Sequence, residues 1–281
     1  MRNCWICGNV ADSEEHKFKA SDIKKFLGKK IEAYYISKDA IELNSYKDKL
    51  LKFPKVICTI CNTTLTRPHD DAYDKFIDYC LKNNCEILEF PIINFEAIYG
   101  YNWANEKANL YRYYAKHSGC KIVTSNVNAD VSNLAEFVKG NLEVEDFIVR
   151  FEMKAGVKAI MNVFNSSNRY HHLYNSEIFS WNNSNSPKFG GWLTNNYITV
   201  NWVFGKKINT NSKKVLSNSY DFVMVTDGDF FELDDEKQKV EEFCTLKFID
   251  QFIVGFENGY KKTKQDKIEF YEYLIDFNNS L

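Results

Sequence analysis

The chain has 281 residues, 44% hydrophobic and 16% aromatic, enough for one large or two modest globular domains with a substantial core. It contains no apolar run of about eighteen residues and opens on Arg2 and a cysteine pair, which argues against a spanning helix and a secretory leader and leads to the expectation of a cytoplasmic protein. The formal net charge is −2, with a small positive excess in residues 1–85 and a negative excess beyond, so a broadly basic nucleic-acid coat is excluded but a local basic cleft is not.

Residues 1–12 form a knuckle, Cys4-Trp5-Ile6-Cys7-Gly8. Ser21 or Asp22 caps a short helix that stops at Gly28. Residues 31–36, 40–43 and 50–53 are extended, a hairpin-like insertion before the second pair, Cys58-Thr59-Ile60-Cys61. A helix starts at Pro68, which suits a first turn, and runs to about Lys82 on the spacing of Ala72, Phe76, Ile77 and Cys80. The pattern breaks over 87–91. An aromatic-rich helix covers 103–116, and a short one covers 134–140 with a glycine stop. Residues 147–153, 198–204 and 222–225 are strands, and 182–187 is a polar loop. Helices within 236–256 and 264–276 complete an α+β chain.

Two C-x-x-C turns can present four thiolates tetrahedrally, so Cys4, Cys7, Cys58 and Cys61 are expected to hold one structural Zn²⁺. In a reducing compartment, Cys80, Cys85, Cys120 and Cys244 are expected to be small buried thiols. Between the pairs lies Glu14-Glu15-His16, and beyond them Asn62 and Pro68-His69-Asp70-Asp71. Phosphodiester hydrolysis needs a base for water and a divalent cation for the charge growing on phosphate. A histidine serves as the base near neutral pH, and carboxylates hold Mg²⁺. The alternative for His16 is a hydrogen-bonded turn, for Asn62 a turn residue, and for Asp70 and Asp71 a response to the helix dipole. His117 is expected to be partly exposed on its helix. His171-His172 and the acidic pairs at 227–229 and 234–235 are expected in loops.

The order C-x-x-C, Glu-Glu-His, C-x-x-C-Asn, Pro-His-Asp resembles the HNH (ββα-metal) endonuclease family in its zinc-knuckle form, over residues 1–85. The resemblance implies a hairpin and helix clamping one divalent ion, with His16 as general base. Glu15, Asn62 and His69 or Asp70 would hold Mg²⁺ or Mn²⁺. The resulting division is an HNH-like nuclease domain at 1–85, a helical bridge at 86–130, and an α+β recognition, regulatory or self-association domain at 131–281. The expected partners are DNA, with RNA second, and a further copy or partner protein; the expected setting, by family analogy, is restriction or antiviral defence. The competing expectations are a non-catalytic zinc-binding interaction module and a nuclease governed by a ligand-sensing C-terminal half.

Overall fold

The structure is a computed structural model describing residues 2–27, 33–36, 40–43, 45–125, 127–141, 146–153, 173–183, 186–205 and 222–224. The helices expected within 236–256 and 264–276, the pair His171-His172, the acidic pairs and Cys244 lie outside the described residues. The chain divides into two compact units: Met1–Lys17 with Lys52–Lys154 and Leu173–Phe230, and Phe18–Leu51 with Ala155–His172 and Phe231–Leu281.

In the second unit, α1 (Ala20–Leu27) carries Asp22 in its first turn and Lys24 and Lys25 in its last, each sign matching the helix dipole. It buries Ile23, and the Lys24 ammonium lies 4.3 Å from the Tyr46 ring centroid. Strands β1 (Ala33–Ile36) and β2 (Ala40–Leu43) form the expected antiparallel hairpin, with Tyr35 opposite Ile41.

The first unit is built on two long helices and a sheet. Helix α2 (Arg67–Lys82) has proline in its first turn and buries His69, Ala72, Tyr73, Phe76, Ile77 and Cys80, one continuous face at helical spacing. The expected break over 87–91 is instead a short helix, α3 (Asn84–Glu89), and Pro91 follows its end. A strand, β3 (Ile92–Asn94), leads into α4 (Phe95–Tyr99), where Asn94 Oδ1 accepts from Ala97 N at 2.9 Å.

Helix α5 (Trp103–Thr124) extends eight residues past the expected end at 116. From Tyr113 to Ile122 every residue is buried, so the segment has no polar face to reveal its period. Tyr73 of α2 stacks on Tyr113 at 3.9 Å, and Phe151 packs against Phe76 at 5.2 Å. Phe151 lies on β4 (Phe147–Glu152), which follows α6 (Ser132–Val138) and brings the helix pair against the sheet.

That sheet is antiparallel throughout, ordered β4, β8, β7, β5, with β6 also paired to β7. Its remaining strands are β5 (Leu173–Asn175), β6 (Phe179–Asn183), β7 (Ser186–Asn195) and β8 (Ile198–Phe204). Every residue of β8 is buried, as befits a central strand covered on both faces. The loop or turn expected at 182–187 is the closing end of the β6–β7 hairpin, with strand pairing carried as far as Asn183 opposite Ser186. Cross-strand pairing there overrides a polar composition that by itself disfavours strand. Between β7 and β8, Asn196 takes a left-handed φ of 53°, and Tyr197 Oη donates to Cys80 O at 2.5 Å, tying this turn to α2. A last strand, β9 (Phe222–Met224), pairs with β3.

The N-terminal knuckle docks on α5 through one close contact. Trp5 Nε1 donates to Cys120 Sγ at 3.4 Å, and a Cβ at Gly119 would lie 2.3 Å from the Trp5 ring. Alanine inside a helix normally gains about 1 kcal/mol over glycine. Here overpacking reverses the sign, and Gly119→Ala is expected to destabilise by about 1–3 kcal/mol. Urea unfolding followed by Trp fluorescence checks this; a more stable variant would show that Trp5 is not seated on α5.

Candidate functional site

The four cysteines meet. Segments 13–16 and 52–57 run antiparallel, bridged at Ser13–Ile57 and His16–Lys52, with Phe53 N donating to Glu15 O at 2.8 Å. This pairing delivers Cys58 to the knuckle at Cys4 and Cys7. Gly8, at a φ of 79°, closes the first knuckle, with its N–H donating to Cys4 O at 2.8 Å. The ligand atoms of Cys4, Cys7, Cys58 and Cys61 all lie within 4.8 Å of one another. Tetrahedral Zn–S bonds of about 2.3 Å require sulfur separations of about 3.8 Å, and Cys7 Sγ lies 3.6 Å from Cys58 Sγ. Cys61 N donates to Cys58 Sγ at 3.4 Å, a backbone bond that orients the thiol. Burial, followed by hydrogen bonding with Cys7 and Cys58, pushes the Cys61 thiol far above its usual range. Of the remaining cysteines, Cys80 and Cys120 are buried as expected, whereas Cys85 is exposed.

After Cys58 two helical residues, Thr59 and Ile60, lead into a π-helical turn, Cys61–Leu65, closed by Thr66 N donating to Cys61 O at 3.2 Å. It turns Asn62 back onto the first segment, where Nδ2 donates to Ser13 Oγ at 3.0 Å and Glu14 O at 3.3 Å. α2 then begins, with His69 and Asp70 in its first turn.

Glu15 and Asp70 also converge, but on a lysine. Lys116 of α5, with 1% of its side chain exposed, lies 2.9 Å from Asp70 Oδ1, 3.3 Å from Glu15 Oε1 and 3.4 Å from Thr66 Oγ1. Burial alone would lower the Lys116 ammonium, but the two carboxylates outweigh it and push it up to about 12. Glu15 is raised, chiefly by burial, with Lys116 opposing and Asp70 reinforcing. One ammonium beside two carboxylates leaves a negative excess, so both directions hold together: the lysine stays charged while burial keeps Glu15 above the usual carboxylate range.

His69 is buried, and burial with nearby Arg112 and Lys116 lowers it to about 3, so it is neutral at pH 7. Its Nδ1, like Asn62 Oδ1, is buried without a hydrogen-bond partner among the described residues. His16 Nε2 is buried as well. Among the described residues, the four cysteines form the only cluster of three or more His, Cys, Asp or Glu groups close enough to share an ion; Glu15, His69 and Asp70 do not form a second.

The structure corrects the reading of His117. It is 2% exposed rather than partly exposed, and its Nε2 lies 2.9 Å from Lys17 O. A carbonyl can only accept, so the Nε2–H tautomer would donate to it, while Asn175 Nδ2 lies 3.3 Å from both that carbonyl and His117 Nε2. Burial, with Lys121 adding, lowers His117 to about 3. A folded pKa below the unfolded value of about 6.5 contributes stability that is present above 6.5 and lost as pH falls toward 3. Between pH 7 and 5, the wild type should lose about 2 kcal/mol more than His117→Gln, measured by urea midpoints at both pH values. Equal losses would show that His117 charges freely in the folded state.

Lys116 is not among the residues that the sequence singles out. Its one signal was a lysine inside a run whose other members, Tyr113, Tyr114, Ala115 and Cys120, suit a buried helix. No helix among the described residues is long and apolar enough to cross a membrane. Comparison with known protein families, curated proteins and solved structures finds no match to this chain.

Proposed function

We propose that the paired segments, the cysteine cluster and the start of α2 form an HNH-type endonuclease centre that hydrolyses phosphodiesters, of DNA first and RNA second. The observation that carries this reading is the convergence of Glu15, from the bridged segment 13–16, and Asp70, from α2, beside a four-cysteine cluster that joins the two segments. The cluster holds Zn²⁺, which supplies folding energy and no chemistry. The catalytic ion is Mg²⁺ or Mn²⁺, and the donor set suits it. Glu15 and Asp70 offer hard carboxylate oxygens, and Asn62 Oδ1 and His69 Nδ1, buried without a hydrogen-bond partner among the described residues, would have to close on the ion to complete its ligands. Bound there, the ion would stabilise charge on the scissile phosphate. His16 removes a proton from the attacking water as oxygen bonds to phosphorus and the ester oxygen departs. Asn62 holds the segment that carries Glu15 and His16. Restriction or antiviral defence, with recognition, self-association or ligand sensing by the C-terminal half, is the setting that the family resemblance suggests.

Two observations favour the second reading, a zinc-stapled interaction module without catalysis: the buried Nε2 of His16, and the lysine between the carboxylates. Supercoiled-plasmid nicking in Mg²⁺ or Mn²⁺ separates the two. Cation-dependent nicking that His16→Ala abolishes supports the nuclease; its absence from zinc-loaded wild type supports the module.

A further inference from the structure

The ammonium of Lys116 has three N–H donors and three oxygen partners: Asp70 Oδ1, Glu15 Oε1 and Thr66 Oγ1. Each donor is therefore spoken for. The head group is sealed from solvent, and Nζ lies 5.6 Å from the Tyr113 ring centroid, a favourable seat for a cation. Asn62 Oδ1 and His69 Nδ1 are not among the ammonium's partners and have no hydrogen-bond partner among the described residues. The two carboxylates are thus already engaged by a cation that the protein itself supplies.

We propose that Lys116 is the resident cation of the Glu15–Asp70 pair, and that a divalent ion binds there only by displacing it. This rests on the reading of Glu15 and Asp70 as ligands. The oxygens stand 2.9 and 3.3 Å from Nζ, whereas Mg²⁺ draws its oxygens to about 2.1 Å, so both carboxylates must leave the ammonium to serve the ion. Ammonium and ion cannot share one pair of carboxylates at these distances, because their like charges repel in a site that excludes water. The α5 side chain thus sets the cation concentration at which the centre becomes competent.

Mn²⁺ binding, read from the EPR signal of free Mn²⁺ on zinc-loaded protein, tests this. Wild type should bind in the millimolar range. Lys116→Met should bind at least tenfold more tightly, and adding Asp70→Asn should cancel the gain. Because Lys116→Met leaves two carboxylates facing each other and can fail to fold, amine acetylation of wild type read by mass spectrometry supplies a second measurement. Lys116 should resist acetic anhydride in cation-free buffer and become modified in step with added Mn²⁺. Asp70-dependent binding equal in wild type and Lys116→Met, or labelling of Lys116 that stays flat across the titration, overturns the inference and leaves the ligand reading standing. An absence of Mn²⁺ binding in both folded proteins overturns the ligand reading and this inference with it.

Discussion

Cys61→Ser should empty the cysteine cluster and unfold the N-terminal part of the chain. Zinc, expected near one per chain in wild type, should fall to a small fraction of that. Structural zinc sites contribute about 10–16 kcal/mol of apparent binding energy in small peptides, which rivals the 5–15 kcal/mol net stability of a whole domain. The segments the cluster joins have little else of their own. They share two isolated bridges and a few backbone bonds rather than a full ladder. Hydrogen exchange should therefore show protection lost over residues 3–16 and 52–66 while β8, buried along its whole length, keeps its protection. Stripping zinc with a chelator should reproduce the pattern. A zinc-free protein with N-terminal amides still protected would refute a structural metal there.

His16→Ala should lower plasmid nicking by about 10²–10⁴-fold, the usual contribution of a positioned general base. Zinc content and unfolding midpoint should stay close to wild type, because the pairing of His16 with Lys52 is a backbone bridge that alanine preserves. This combination separates a chemical role from a structural one. Asp70→Asn differs in kind: it removes one of two carboxylates around a buried ammonium, so stability and activity should change together. Nicking by His16→Ala at the wild-type rate would remove His16 from the mechanism, whatever the remaining residues do.

What could be read from sequence was local. The cysteine quartet declares itself because each knuckle spans four residues and thiolate chemistry limits what such a spacing can do. The α2 face was legible from its period and its proline. Lys116 was not, because its partner Asp70 is 46 residues away in sequence and only packing joins them. The same distance effect hid Trp5 against Gly119, since nothing near a helical glycine says which ring will need its space. The π-helical turn at Cys61–Leu65 left no trace either, because a single extra residue in a helical start has no compositional signature. The polar end of the β6–β7 hairpin was legible as a loop or turn but not in its strand pairing, because that pairing is decided by the partner strand.

The bridge between His16 and Lys52 has one more consequence. The whole of Phe18–Leu51 leaves the first unit at Lys17 and rejoins it at Lys52, and those two ends are already neighbours across that bridge. The entropy of closing such an excursion rises only with the logarithm of its length, by about 0.6 kcal/mol per doubling. Lengthening or trimming that stretch is therefore expected to add little closure cost between the flanks that carry Glu15 and the cysteine quartet.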